Sequence, residues 1–322
     1  MEGRRFIILA GPTSVGKSAA AFQLAQELGG EIVSVDSMQV YRGLDIGTDK
    51  PAERDRGQIP HHLIDIVEPF EPFDAGAFVV AARSAVEDIV ARGRVPILCG
   101  GTGLYFRAFL EGLGLVPDSD PKVRERLEST PLPELVSELR SRDPIAFGRI
   151  DPQNRRRVVR AVEVIRLTGR PVSEQKARWT TGPCVPGGSG FGLTREDADL
   201  RRRSEQRVDH MFARGLIGET RALLERGLER NRTAMQAIGY RQVVEHLRGQ
   251  RDLGRTVDLV KRRTWRFIRR QKTWFRRQMS LRWISLLPGE GPERAVRLMA
   301  EEWINPGLPT SPNPATFVRN EI

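Results

Sequence analysis

Eight residues near the start, Gly11-Pro12-Thr13-Ser14-Val15-Gly16-Lys17-Ser18, have the spacing G-x-x-x-x-G-K-[ST]. The chemistry this spacing serves is anion binding. Glycines let the main chain come close to a phosphate. Successive amides and a helix N-terminus then point at it, and Lys17 adds a full positive charge. The context fits. The apolar run 6–10 reads as a buried strand leading into the loop, and Ala21, Phe22, Leu24, Ala25 and Leu28 form the apolar face of a helix leaving it. All eight residues are therefore candidates for gripping a diphosphate or a nucleotide.

Two further segments carry reactive or hydrogen-bonding groups. Asp36 follows the apolar run 32–35 and opens Ser37-Met38-Gln39. A carboxylate there can ligate Mg²⁺, act as a general base, or cap its own turn, and position alone does not choose among these. Gly100-Gly101-Thr102-Gly103 ends the run 95–99. Its glycines admit close approach of another molecule and Thr102 offers a hydroxyl. Thr102 can equally be the N-cap of a helix carrying Leu104, Tyr105 and Phe109. The run 95–99 ends without an acid, whereas loop-type hydrolases and kinases commonly hold Mg²⁺ with one.

These segments need a scaffold that brings strand ends together. Apolar runs 6–10, 32–35, 63–67 and 95–99 read as strands, alternating with helical stretches 18–28 and 75–91. That alternation predicts an α/β fold with a parallel sheet covered by helices on both faces. Ligands then sit beyond the carboxyl ends of the strands, where all three segments fall. The expected organisation is a phosphate-loop α/β core over 1–117, a helical insertion over 118–192, a helical return to the core over 193–304, and a disordered tail over 305–322. Helices are predicted over 134–140, 155–167, 197–228 and 256–281, and 181–192 reads as a linker.

The chain has 322 residues and a net charge of +11, unevenly spread. Residues 1–120 hold 11 Lys+Arg against 17 Asp+Glu, and residues 121–322 hold 41 against 24. The polarity suggests a catalytic half joined to a half that grips a polyanion. The alternative is an arginine-rich solvated surface. Only Cys99 and Cys184 are present, and they share no ligand spacing with the four histidines, so a reducing cytoplasm is expected and a structural zinc is not. His61-His62 reads as structural. No apolar run reaches membrane-spanning length.

The ordered set of motifs resembles a known family. GPTSVGKS, VSVDSMQVYRGLDIGT (33–48), IPHHLID (59–65), GGTGLY (100–105), DPQNRRRVVRAVEVIRLTGRP (151–171), MQAIGYRQ (235–242) and RRQKTWFRRQ (269–278) are similar to those of the tRNA dimethylallyltransferases, also called tRNA isopentenyltransferases. The resemblance covers most of residues 6–285. It implies transfer of a dimethylallyl group from dimethylallyl diphosphate to the exocyclic N6 amine of the adenosine 3′-adjacent to the tRNA anticodon, with diphosphate leaving. It implies Asp36 as the base, with Thr102 holding that part of the site and touching the tRNA. Thr13 and Lys17 would bind the donor. By their own spacing, Arg203 and Arg207, four apart on one helix face, are placed either to reach the diphosphate or to be surface charges. Ser18 would ligate Mg²⁺, the one expected cofactor. Ser37, Met38 and Gln39 would lie against the target base. Arg124, Arg156, Arg157, Val158, Val159 and Arg160 would contact the anticodon stem-loop. Two departures, Ser14-Val15 for the frequent Ala-Ser and Val162 for the usual Leu, touch no reacting atom.

Three other readings compete: a small-molecule kinase, an RNA-binding module with a vestigial phosphate loop, and a transferase acting on free adenylate. The basic second half argues against the first and third. A monomer is the simplest expectation.

Overall fold

The computed structural model describes residues 6–114, 116–175 and 189–305. Of the tail expected to be disordered, all but Asn305 lies outside the described residues. The chain divides after Leu110 and again after Thr180 into two compact units.

The larger unit is built on a six-stranded sheet. Its strands are β1 (Ile7–Ala10), β2 (Gly30–Val35), β3 (His61–His62), β4 (Val95–Gly100), β5 (Ser189–Thr194) and β6 (Arg282–Ser285), in the spatial order β3-β2-β4-β1-β5-β6. Every pairing is parallel. All four residues of β1 are buried, as expected of a central strand covered on both faces. Alternation sorts them. Ile8 and Ala10 join Val33, Val35 and Leu98 in one core with Phe78, Ala82, Tyr105 and Phe106. Ile7 and Leu9 join Ile32, Ile97 and Phe191 in a second core with Ala21, Leu24, Val296 and Met299. The helices that supply those side chains are α1 (Lys17–Leu28), α3 (Ala75–Ala91) and α4 (Gly103–Glu111), with the C-terminal set given below, whereas the short α2 (Glu53–Gln58) buries no residue.

The smaller unit contains α5 (Pro121–Ser129), α6 (Leu132–Arg142), α7 (Pro144–Phe147), α8 (Arg155–Thr168) and α9 (Val172–Gln175). Leu127, Leu135, Leu139, Val158, Val159, Val162 and Ile165 form its own apolar core. Arg155 donates to the carbonyls of Glu128 and Thr130 at 2.7 Å each, closing the C-terminal end of α5.

After β5 come α10 (Asp197–Ala213), α11 (Leu216–Glu225), α12 (Tyr240–Leu247), α13 (Leu253–Gln278) and, past β6, α14 (Glu293–Ile304). The apolar stripe of α13 is buried at Val260, Ile268 and Phe275, while Val257 is only half-buried.

The structure corrects three sequence readings. The insertion expected over 118–192 begins and ends earlier, and residues 189–192 of the expected linker belong to β5, paired with β1. The glycines there misled. A Cβ on Gly192 would meet the Trp283 ring at 2.7 Å, so the glycine serves packing in a strand. The single helix expected over 197–228 breaks at Gly215, whose φ of 97° is left-handed. No residue of the strand expected over 63–67 belongs to a sheet strand, since β3 is the pair His61–His62 just before it. Leu63 and Asp65 have φ of 62° and 56°, and only Val67 forms a bridge, to Tyr41. The Asp65 carboxylate is drawn to Lys50 and Arg56 instead.

Candidate active site

The phosphate loop sits between the end of β1 and the start of α1, and its shape depends on two left-handed residues, Ser14 at φ 65° and Gly16 at φ 109°. Gly11 lies against β5, where a Cβ would come within 2.6 Å of the Leu193 carbonyl oxygen. Three carbonyls of the loop are held by side-chain cations. Lys17 Nζ donates to Pro12 at 2.8 Å, Arg203 Nε to Ser14 at 3.0 Å, and Arg195 Nε to Val15 at 2.9 Å. The Thr13 amide donates to Gln271 Oε1 at 2.9 Å. The Ser14 hydroxyl is buried with no hydrogen-bond partner in the described residues.

Burial lowers Lys17 from the usual lysine range to about 8, with the cation of Arg207 pressing the same way and Cys99 and Asp36 opposing. The ammonium is thus poised between charge states and is stabilised by any anion that arrives. Burial raises the Cys99 thiol to about 11, so it stays neutral beside Lys17. Ser18 is exposed in the first turn of α1. Among the described residues no group of three or more His, Cys, Asp or Glu side chains could hold a metal ion.

Asp36, at the end of β2, caps its own turn. Oδ1 accepts from the amides of Met38 at 2.8 Å and Gln39 at 3.3 Å. Among the described residues Oδ2 accepts no hydrogen bond, so one carboxylate oxygen fixes the loop and the other is available for chemistry. The Ser37 amide donates to Thr102 Oγ1 at 3.1 Å, and the Thr102 amide donates to the Val35 carbonyl at 3.2 Å. The turn at the end of β4 is therefore tied to the turn at the end of β2. Gly100 permits the approach, since a Cβ there would sit 2.0 Å from the Val35 carbonyl oxygen. The Gln39 amide is anchored at both ends: Oε1 accepts from Ser34 Oγ at 2.9 Å and Nε2 donates to the Thr48 carbonyl at 3.3 Å. Arg207 reaches the same carbonyl at 3.3 Å and stands 3.6 Å from Asp49.

In the smaller unit Arg156 and Arg157 are exposed on α8. Arg124 and Arg160 both pair with Glu163, whose side chain is fully buried and also accepts from Ser119 Oγ at 2.5 Å. Val158 and Val159 are fully buried. The side chains of these two valines face the core of the smaller unit, and the exposed cations beside them are Arg156 and Arg157.

Sequence reading missed Gln271, Arg195 and Glu163. A polar residue in step with the α13 apolar stripe was the available signal for Gln271. An acid on the apolar side of α8 was the signal for Glu163. Arg195, just past β5, had none. His61 and His62 are structural: His61 Nδ1 lies 2.7 Å from the Ile59 carbonyl and His62 Nε2 lies 2.7 Å from Glu31.

A family model described as IPP transferase matches residues 39–278, and one described as isopentenyl transferase matches residues 4–59. The chain belongs to the IPP transferase family. Among IPP transferase relatives, a tRNA dimethylallyltransferase of Trichlorobacter lovleyi is 45% identical over 285 residues, covering 87% of this chain and 93% of that one. A solved structure of full-length tRNA isopentenylpyrophosphate transferase from Bacillus halodurans is 36% identical with a TM-score of 0.69, covering 94% of this chain and 96% of that one. A eukaryotic dimethylallyltransferase, solved acting on tRNA, is 26% identical with a TM-score of 0.75, covering 94% of this chain and 80% of that one.

Proposed function

We propose that this chain transfers a dimethylallyl group from dimethylallyl diphosphate to the N6 amine of the adenosine 3′-adjacent to a tRNA anticodon, releasing diphosphate. The observation that carries the reading is the union of two turns at one end of the sheet. The Asp36 carboxylate lies close enough to the Lys17 loop for its charge to act on the buried Lys17 ammonium. An anion grip and a base within one pocket suit displacement at a carbon that bears a diphosphate.

The bond from the allylic carbon to the diphosphate oxygen breaks, and its electron pair leaves with the diphosphate. Loop amides and the Lys17 ammonium stabilise the growing charge. The adenine amine, a poor nucleophile because its lone pair is conjugated, forms the new N–C bond as Asp36 takes its proton. Thr102 holds the Ser37 amide, and with it the turn that carries Asp36. Arg203, bound to the Ser14 carbonyl, and Arg207 flank the diphosphate. Ser37, Met38 and Gln39 receive the extruded base, whose unstacking costs a few kcal/mol. Arg124, Arg156, Arg157 and Arg160 meet phosphates of the anticodon stem-loop.

The donor set fits Mg²⁺ as a carried ion: one exposed Ser18 hydroxyl beside an anion site and, among the described residues, no acidic cage. Bound there, Mg²⁺ would neutralise charge on the leaving diphosphate. The proposal includes a monomer working in the cytoplasm. Among the described residues, no helix is long and apolar enough to cross a membrane.

The test is incubation with unmodified tRNA, dimethylallyl diphosphate and Mg²⁺, followed by nucleoside mass spectrometry. Prenylated adenosine in tRNA, with none formed from AMP, is the expected result. ATP hydrolysis without prenyl transfer would overturn the proposal.

A further inference from the structure

The inward face of α13 carries Thr256, Val260, Thr264, Ile268, Gln271 and Phe275, all buried. Gln271 is 7% exposed, and its amide is used at both ends. Oε1 accepts from the Thr13 amide at 2.9 Å, and Nε2 donates to the Gly101 carbonyl at 2.9 Å. These partners lie 258 and 170 residues away in sequence. The fit is tight on the second side, because a Cβ on Gly101 would meet Nε2 at 2.5 Å. One planar group thus spans the phosphate loop and the turn at the end of β4. The next residue, Thr102, holds the Ser37 amide beside Asp36.

We propose that Gln271 is a positioning residue for the transfer, resting on the function proposed above. Its carboxamide is a strut of fixed length between the diphosphate cradle and the turn at the end of β4, whose Thr102 holds the turn that carries the base. A neutral amide meets both demands at once, since one partner is a donor and the other an acceptor. An ionised carboxylate faces the Gly101 carbonyl oxygen with a second oxygen. A protonated carboxyl restores the pattern, because its O–H donates to Gly101 while its carbonyl accepts from Thr13. Misplacing two reacting groups by a fraction of an ångström is costly to the rate even when each group is intact.

The experiment compares wild type, Gln271→Met and Gln271→Glu. It measures single-turnover transfer from pH 5.5 to 8.5, inorganic pyrophosphate affinity by calorimetry, and tRNA affinity by filter binding. For Gln271→Met the expected result is transfer slowed by about 10–100-fold and pyrophosphate bound about tenfold more weakly, with tRNA affinity within about twofold of wild type. For Gln271→Glu, the rate relative to wild type rises as pH falls, while the ratio for Gln271→Met stays flat. A role confined to stability would lower the melting temperature of both variants without that acid rescue. Either a Gln271→Met enzyme that matches wild type in rate and pyrophosphate affinity, or a Gln271→Glu ratio that is flat with pH, overturns the proposal. If wild type transfers nothing, the proposed function fails, and the strut is judged on pyrophosphate affinity alone: an unchanged Gln271→Met value sinks it.

Discussion

Thr102 Oγ1 accepts the Ser37 amide at 3.1 Å, joining turns that are 65 residues apart in the chain. That bond places a hydroxyl beside the Asp36 turn and leaves the carboxylate with one oxygen committed and one uncommitted. The dual use of Asp36 shapes how it must be tested.

Asn at position 36 keeps the cap, because its side-chain oxygen still accepts from Met38 and Gln39, but it cannot take a proton. Asp36→Asn should therefore slow transfer by about 10²–10⁴-fold with tRNA binding nearly unchanged. Asp36→Ala should lose the turn as well. Single-turnover rates beside filter-binding affinities check this. An Asn variant with wild-type turnover would remove Asp36 from proton transfer.

Lys17 sets a pH dependence. Its ammonium loses its proton near pH 8 in the free protein, so pyrophosphate affinity should fall as pH rises through that value. Lys17→Met should bind weakly and show only the ligand's own titration, which serves as the baseline. The stability sign is the reverse. Between about pH 8 and the usual lysine pKa the unfolded chain holds more protons than the folded one, so this group's contribution rises with pH. Calorimetric titrations and chemical denaturation over pH 7–10 read the two signs separately.

Glu163 is the keystone of the smaller unit. Burial works to raise its carboxyl, but hydrogen bonds from Arg124, Ser119 and Arg160 prevail and hold it below the usual range. Its stabilisation is present at neutral pH and lost as pH falls through the depressed value. Glu163→Gln should destabilise by about 2–4 kcal/mol, at or below the range for a broken buried pair because both arginines are partly exposed. It should also flatten the acid limb of the unfolding curve. Denaturant melts at pH 3–7 measure this.

Arg156 and Arg157 are exposed on α8, and Val158 and Val159 are buried behind them. Arg156→Gln with Arg157→Gln should weaken tRNA binding and lower the salt slope by about 1–2. Val158→Ala should lower the melting temperature and leave that slope unchanged. Binding from 50 to 300 mM salt separates the two. A double variant with the wild-type slope would count against phosphate contact on this helix.

Gly100 tolerates no side chain, since the added carbon would collide with the β2 backbone at Val35. Gly100→Ala should destabilise the sheet by several kcal/mol, beyond the ordinary range for a point change. Thermal unfolding monitored by circular dichroism checks it.

What the sequence by itself determined is local and periodic. The strand, loop and helix over 7–28 follow from an apolar run, two glycines and a helical stripe within one short segment. Helix α3 matches its sequence bounds for the same reason, and Asp74 caps it in the immediately preceding position. Only the tertiary structure decided which distant groups meet. The glycines of β5 look like a linker until β1 and the Trp283 ring are beside them. Glu163 looks like a surface acid until two arginines converge on it. Gln271 finds its partners across most of the chain. Hydrogen-bond partners at such separations are chosen by packing of the whole sheet, and local periodicity carries no record of them.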